Sequence, residues 1–583
     1  MRFCNVSDLL SLEKQEAHPL GSRARVLLSS VFGPFSQNDE YGSRTNNLME
    51  LHHNQVTKVQ GPFSLRMFHR SSGLKLIQAN IAATCTLLDY PDLGRFVSEL
   101  RTREYDIIGI SAIQPNLKKV EKMCLLIREH QPAATIVVGG HISNMGDLDK
   151  RFDADIVVRG EGVRWFRKFL DEDPNQPINH PYIPSGINRR CMGLDLDRGG
   201  RDSTAVILPS VGCPIGCNFC STSAMFGGKG KYVNFYETGD ELYDIMSQLE
   251  EEMGVWSFFV MDENFLLHRK RALRLLELME ANGKAWSLHV FSSASALKSY
   301  TMEQLVGLGI SWVWIGLEGE KSQYGKLKDI DTRPLVRELQ DNGIRVLGST
   351  IIGLEEHTLE NIDEVIDWAV SHNTEFHQFM LYTPPQGTPL HRELMEKGLL
   401  LDETEIDLAD VHGQYRFNYR HPHIPAGQEP ELLNRAFERD FEVNGPSVMR
   451  IIPTLMKGWK KYKNHPNARI RKRFGKEMEA MPVLYASALW ATRAWFGDHL
   501  QLKGCMTRSL EDIYREFGFK SRLSAPVLGR IILHWIRKEA KRLADGQTYE
   551  PPTLYETSVK AYRPHVLMKQ PKGKDPDIGS SRP

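Results

Sequence analysis

The sequence of 583 residues predicts an α/β protein: two successive strand–helix regions followed by an α-helical C-terminal region. Three observations carry this reading. Short apolar runs alternate with amphipathic helical patterns between about residues 23 and 175, the spacing of a parallel, doubly wound sheet. Six further apolar runs between Ala205 and Leu381, again separated by helical patterns, give the repeat of a partial (β/α)6 barrel. From about Arg420 the pattern turns helical and rich in Trp, Tyr, Arg and Lys. Hydrophobic and charged contents of 41% and 25% are those of a soluble globular chain. The formal net charge is zero, so bulk electrostatics give no reason to expect nucleic acid. No apolar stretch approaches the roughly 20 residues of a membrane span, and Met1–Asp8 lacks the apolar core of an export signal.

Along the chain, residues 1–22 read as an N-terminal extension and Arg25–Phe32 as a buried strand closed by Gly33-Pro34. Residues 36–72 have no period and exceed an ordinary connection, so they are expected to be an inserted loop within a domain spanning 23–175. Leu74–Ile81 is expected to be a strand, Asp92–Arg101 a helix and Asp106–Ser111 a strand. Leu117–His130 follows as an amphipathic helix, then Ala134–Gly139 and Asp155–Arg159 as strands. Ligands of such sheets sit beyond the carboxyl ends of strands, where Ser111–Asn116, Gly139-Gly140-His141 and Gly160-Glu161-Gly162 fall. Residues 176–200 form a linker. The barrel region, 201–420, opens with Ala205–Leu208 and continues with strands at Ser257–Met261, Ser287–Phe291, Trp312–Leu317, Val346–Ile352 and Glu375–Leu381. Residues 421–568 are expected to be helical, and 569–583, rich in Lys, Pro, Gly and Ser, a disordered tail.

Cys213, Cys217 and Cys220 are the most informative residues, spaced C-x3-C-x2-C after the first barrel strand. Three thiolates on one short loop suit three corners of an iron–sulfur cube and leave the fourth iron free for another ligand. Zinc, disulfides and simple core filling compete with this. Structural zinc usually takes four ligands, yet the nearest other cysteine is Cys191 and the loop holds no histidine. Eight scattered cysteines without an export signal suggest a reducing compartment.

The cysteine motif, with Phe219 before its third cysteine, resembles that of the radical S-adenosylmethionine (SAM) enzymes. The resemblance implies a 4Fe–4S cluster held by the three cysteines, SAM chelated at the open iron, and SAM cleavage to a 5′-deoxyadenosyl radical. Later segments resemble the family's in the same order. Asp262-Glu263-Asn264 ends the second strand, where the family binds the SAM amino group; these side chains can accept bonds from an ammonium. Glu318 matches the acidic position of strand four. Gly348–Glu356, with Gly353, resembles the strand-five segment beside the adenine, and Tyr382–Leu390 the proline–glycine turn after strand six. Gly227–Lys231 lacks the G-x4-G-K-S/T spacing of a phosphate loop and reads as a turn near the cluster.

Gly139-Gly140-His141 followed by Val158–Gly162, just before such a core, resembles the Rossmann-like cobalamin-binding domain of B12-dependent radical SAM proteins. Ser111, Gly139, Gly140, His141, Gly160, Glu161 and Gly162 are then the candidate cobalamin contacts. The hexapeptide Asp-x-His-x-x-Gly is absent, so the resemblance implies cobalamin bound without a histidine ligand to cobalt.

Together these resemblances imply a cobalamin-dependent radical SAM enzyme that methylates an unactivated carbon of a small metabolite, and the aromatic, basic helices of the C-terminal region point to a lipid-like one. Ring closure or carbon–carbon coupling with the same cofactors is the alternative, and a non-catalytic redox or cobalamin sensor is the alternative from another class. Reduced flavodoxin or ferredoxin is the implied electron donor, the cytoplasm the expected location, and no nucleic-acid partner is expected. Lys457–Lys476 holds nine Lys/Arg and no acid, ahead of helical patterns at Leu484–Phe496 and Ile531–Leu543. Contact with an anionic membrane surface and a helical cap packed on the barrel both account for these stretches.

Overall fold

The computed structural model describes residues 2–5, 16–44, 59–197, 204–319, 327 and 330–558; the expected tail lies outside them. Its first sheet has seven strands in the order Arg2–Asn5, Ile156–Arg159, Thr135–Gly139, Ile107–Ser111, Arg25–Ser30, Thr84–Asp89 and Leu554–Ser558. All neighbours are parallel except the last pair. Counted along the chain, the central five strands lie in the doubly wound order 2-1-3-4-5. The order reverses between Arg25–Ser30 and Ile107–Ser111, the crevice where sheets of this kind bind ligands. Val26, Leu27, Leu28, Ile107 and Ile108 are fully buried, as expected of strands covered on both faces.

One expected strand is a helix. Leu74–Ile81 falls in Ser72–Ala79, which is α-helical, and the strand is the next run, Thr84–Asp89. Eight residues satisfy either period, since Leu74, Ile77 and Gln78 also share a helical face. Topology decides between them: Thr84–Asp89 pairs in parallel with Arg25–Ser30, and a parallel return needs a crossover, usually helical. The strand Leu554–Ser558 was also not expected, because it follows a long helical stretch; it returns the chain to the first sheet. Within the expected inserted loop, Arg66–Phe68 pairs with Ile187–Cys191 of the linker, tying the first sheet to the barrel.

The second sheet has six parallel strands in chain order: Thr204–Ile207, Ser257–Val260, Ser287–Ser292, Ile310–Glu318, Arg345–Ile352 and Phe376–Leu381. Alternate residues point outward into one core, including Phe258, Leu288, Val290, Val313, Ile315 and Val346. Facing the other way, half-buried Phe259, Phe291 and Trp314 form a run of rings across neighbouring strands, with centroids 5.6 and 4.9 Å apart.

The Ala468–Glu477 helix closes the amino-terminal end of this barrel. Arg469 donates to the Gly307 carbonyl at 2.6 Å, Arg473 to those of Val306 and Ile310, and Glu477 accepts from Ser287 and Arg345. Lys457 pairs with Asp341, Lys460 with Asp512 and Lys463 with Glu516. The basic stretch Lys457–Lys476 therefore serves the fold, as a cap on the barrel.

Candidate functional site

The cysteine loop leaves the carboxyl end of the first barrel strand. Ser210–Val211 pairs antiparallel with Val233–Asn234 and fixes its base. Gly216 has φ of 71°, and a β-carbon there would lie 2.5 Å from the Lys229 Cα, so the Gly227–Lys231 turn packs directly on the loop. Gly230 donates to the Pro214 carbonyl at 2.8 Å. Burial pushes the Cys213 thiol up to about 11; the Ile215 amide opposes this, while Cys220, Cys217 and Glu263 add to it. The three half-buried cysteines and the Glu263 carboxylate thus lie within electrostatic reach of one another, and thiolates are the ligand type that suits iron. Among the described residues no disulfide forms, and Cys220 caps the short Ser221–Met225 helix.

Asp262, Glu263 and Asn264 take different roles. Asp262 and Arg271 form an ion pair at 2.6 Å with side chains 2% exposed, and Ser210 donates to the same carboxylate oxygen. Asn264 is held by Ser292 and Ser293 of strand three. Both residues are committed to neighbours. Glu263 keeps one oxygen available: its Oε2 is buried without a hydrogen-bond partner, and burial pushes its carboxyl up to about 7, against its own amide and that of Gly212, with Asp262 adding to the rise. Glu318 is buried at a register shift between strands four and five, with φ of 57°. A non-glycine residue held in that region marks a constrained position. Gly353 has φ of 83°, and the Phe417 ring lies 2.3 Å from where a β-carbon would stand. Phe219 meets Tyr382 edge-on at 6.0 Å, joining the cysteine loop to the end of strand six.

The carboxyl ends of the first sheet abut this loop. Asn144 donates to the Ser221 carbonyl at 3.2 Å, and Gln114 exchanges hydrogen bonds with the backbone of Gln386. Gly387 lets the two halves meet, since a β-carbon there would lie 2.8 Å from the Asn144 carbonyl oxygen. Gly139 and Ser111 end neighbouring paired strands, and Gly140, at φ 84° and ψ −171°, starts a turn over His141–Asn144. His141 is half-buried, with Nδ1 unpartnered among the described residues, and burial lowers its pKa. Gly160 turns at φ 95° and Gly162 opens the next helix. Glu161 is taken up locally, capping that helix through the Val163 and Arg164 amides.

His412 belongs to no motif in the chain. It is 8% exposed, both ring nitrogens lack a hydrogen-bond partner among the described residues, and burial pushes its pKa down to about 4. Its loop is pinned on one side by Arg44 and Lys118, which bind Asp410 and Asp407, and on the other by Leu381 donating to Gly413. Thr383 Oγ1, Asn418 Oδ1, Asn218 Oδ1 and Asn116 Oδ1 are likewise buried and unpartnered. Buried polar atoms with unmet hydrogen-bonding capacity therefore lie on segments from both sets of strand ends.

Comparison with known proteins agrees with this layout. Residues 65–170 match the family model for the B12 binding domain and residues 207–369 that for the radical SAM superfamily. The chain is 24% identical over 383 residues to an uncharacterized methyltransferase of Pyrococcus horikoshii, covering 60% of this chain and 81% of that one. It is 22% identical over 322 residues to bacteriochlorophyllide d C-8(2)-methyltransferase of Chlorobaculum tepidum, covering 52% and 70%. Among solved structures it is similar to the radical SAM methyltransferase TsrM of Kitasatospora setae, with cobalamin and a 4Fe–4S cluster bound. That likeness has a TM-score of 0.45 at 17% identity and covers 79% of this chain and all of the other.

The chain is thus an enzyme with a B12-binding domain followed by a radical SAM domain, the arrangement of B12-binding radical SAM proteins. Its cofactors are a 4Fe–4S cluster, SAM and cobalamin.

Proposed function

We propose that this enzyme transfers a methyl group to an unactivated carbon of a small apolar molecule. The observation that carries the reading is the abutment of the two sets of strand ends, through Asn144 with Ser221 and Gln114 with Gln386. It brings residues of both domains together, and methyltransferases outnumber cyclases among the similar relatives, which favours methyl transfer over ring closure. When bound, the cluster and cobalamin would supply one-electron cleavage of SAM and a methyl carrier.

In this reading Cys213, Cys217 and Cys220 hold the cluster. Glu263 accepts from the SAM ammonium, while Asp262 and Asn264 position it through Arg271 and the strand-three serines. Glu318, Phe219 and Gly353 shape the rest of the SAM pocket. Ser111, Gly139, Gly140, His141, Gly160 and Gly162 face cobalamin, and Glu161 keeps the last turn rigid from its capping position. The unpartnered His412 ring nitrogens, Thr383 Oγ1, Asn418 Oδ1 and Asn116 Oδ1 suit the amide and hydroxyl groups at the edge of the corrin. The half-buried rings of Phe259, Phe291 and Trp314 give the substrate an apolar wall, which excludes water and supports a lipid-like or other apolar metabolite. A small flavodoxin or ferredoxin would deliver the electron, in the cytoplasm.

The test is anaerobic incubation of the reconstituted chain with SAM, cobalamin and a strong reductant, measuring 5′-deoxyadenosine and S-adenosylhomocysteine together. Both products form in the expected outcome, and Cys217→Ala abolishes the deoxyadenosine. Deoxyadenosine alone would overturn methyl transfer in favour of ring closure or coupling. Neither product from a protein with an intact cluster would favour a sensor.

A further inference from the structure

The Phe519–Ala544 helix has two apolar faces, and only one is used. Ser521, Ala525, Gly529, Ile532 and Ile536 are buried. Gly529 fixes which way this face points: a β-carbon there would lie 2.6 Å from the Trp490 ring and 3.1 Å from the Ser487 carbonyl of the Ala486–Trp495 helix. On the opposite side, Phe519 is 78% exposed, Leu523 56%, Val527 52%, Ile531 53% and Trp535 36%, one residue in every four. Leu484 is also exposed, on the turn whose Pro482 carbonyl accepts from Ser524. Isolated exposed apolar side chains are ordinary, but a continuous row of them marks a surface made for a partner.

Charge selects the partner. The helix carries Lys520, Arg522, Arg530, Arg537, Lys538, Lys541 and Arg542 and a single acid, Glu539, which Arg542 and Tyr549 already hold. Among the described residues, no carboxylate pairs with the first six of these cations. The earlier basic stretch differs, because Lys457, Lys460 and Lys463 there all have acidic partners. A second copy of the chain is a poor occupant: an isologous contact would set the same uncompensated cations against one another.

We propose that this helix docks the enzyme on an anionic lipid bilayer. It would lie in the plane of the surface, with Phe519, Leu523, Val527, Ile531 and Trp535 entering the headgroup–acyl boundary and the Lys and Arg side chains reaching the phosphates. Among the described residues no helix is long and apolar enough to cross a membrane, so the attachment is peripheral. The inference rests on the exposed face of this helix and stands whichever reaction the barrel performs.

The experiment is co-sedimentation of the full-length, cluster-reconstituted chain with phosphatidylcholine vesicles, with and without phosphatidylglycerol. Binding is expected only with phosphatidylglycerol and weakens as salt rises. The triple change Leu523→Ser, Val527→Ser, Ile531→Ser should lower it about tenfold or more, and Lys538→Glu with Lys541→Glu by about fivefold, from the lost burial and charge attraction. Cluster absorbance and the thermal unfolding midpoint should not move, since these side chains face solvent. No binding to anionic vesicles, or wild-type binding by the triple variant, would overturn the proposal. So would a wild-type dimer that the triple variant converts to a monomer, which would assign the face to self-association.

Discussion

At the carboxyl ends of the first sheet the polar groups mostly serve their own backbone, whereas at the barrel ends they are held by other side chains, from the following helix and from the end of the next strand. Glu161 caps the helix that follows it, Ser143 donates to the Gly140 carbonyl, and glycines 140 and 160 make the turns. In the barrel, Arg271 reaches across to Asp262, and Ser292 and Ser293 reach across to Asn264. The first set offers backbone and small side chains to a large ligand. The second fixes a few charged groups for chemistry. The contrast predicts that damage to the two sets should be separable, one affecting cobalamin and the other the cluster and SAM.

The largest effect is expected from Arg271→Met. Removing the guanidinium leaves the Asp262 carboxylate buried and unpaired, a loss of roughly 3–5 kcal/mol. Chemical denaturation of the barrel should report it, and SAM affinity should fall with it. Adding Asp262→Leu to Arg271→Met should recover most of the stability and none of the SAM affinity, because the apolar pair removes the unpaired charge without restoring the anchor. If the double variant binds SAM normally, the ion pair plays no part in holding Glu263.

Gly140→Ala should act on the other side. Its backbone, at φ 84° and ψ −171°, is a conformation open essentially to glycine, and the new β-carbon would lie 2.6 Å from the Ala112 carbonyl oxygen. A loss of about 2–3 kcal/mol is expected. Cobalamin retained after desalting, read from its visible absorbance, should fall severalfold while cluster content per chain stays at the wild-type value. Equal loss of both would mean that the strand ends of the two sheets form one cooperative unit.

Much of this layout was legible in the sequence. The cysteine spacing, the six apolar runs of the barrel and Gly139–His141 each depend on local pattern, and local pattern survives without knowledge of the fold. What escaped depends on distant contacts. Leu74–Ile81 fits either period, and only the parallel pairing beyond it makes the helix necessary. Lys457–Lys476 and Phe519–Ala544 are alike in composition, yet one turns Arg469 and Arg473 into the barrel and the other leaves its cations facing solvent. Asp262 looks like a ligand-facing acid until Arg271, nine residues later, folds back on it. His412 carries no motif, and its loop is held by distant residues, Arg44 and Lys118 of the first domain and Leu381 of the last barrel strand.

That histidine gives the smallest expected effect and the finest test of how the two sets of strand ends are packed together. Burial holds its pKa down at about 4, against an ordinary value near 6.5. Between those values the unfolded chain takes up a proton that the folded chain refuses, so this contribution to stability is lost as pH falls from 6.5 toward 4. Glutamine at this position binds no proton in either state. The stability of His412→Gln relative to wild type should therefore rise by roughly 1–2 kcal/mol on going from about pH 8 to about pH 5. Urea unfolding of both chains at the two pH values measures it. Parallel curves would mean that His412 titrates freely in the folded protein, which would require its buried position between the two domains to be open to water.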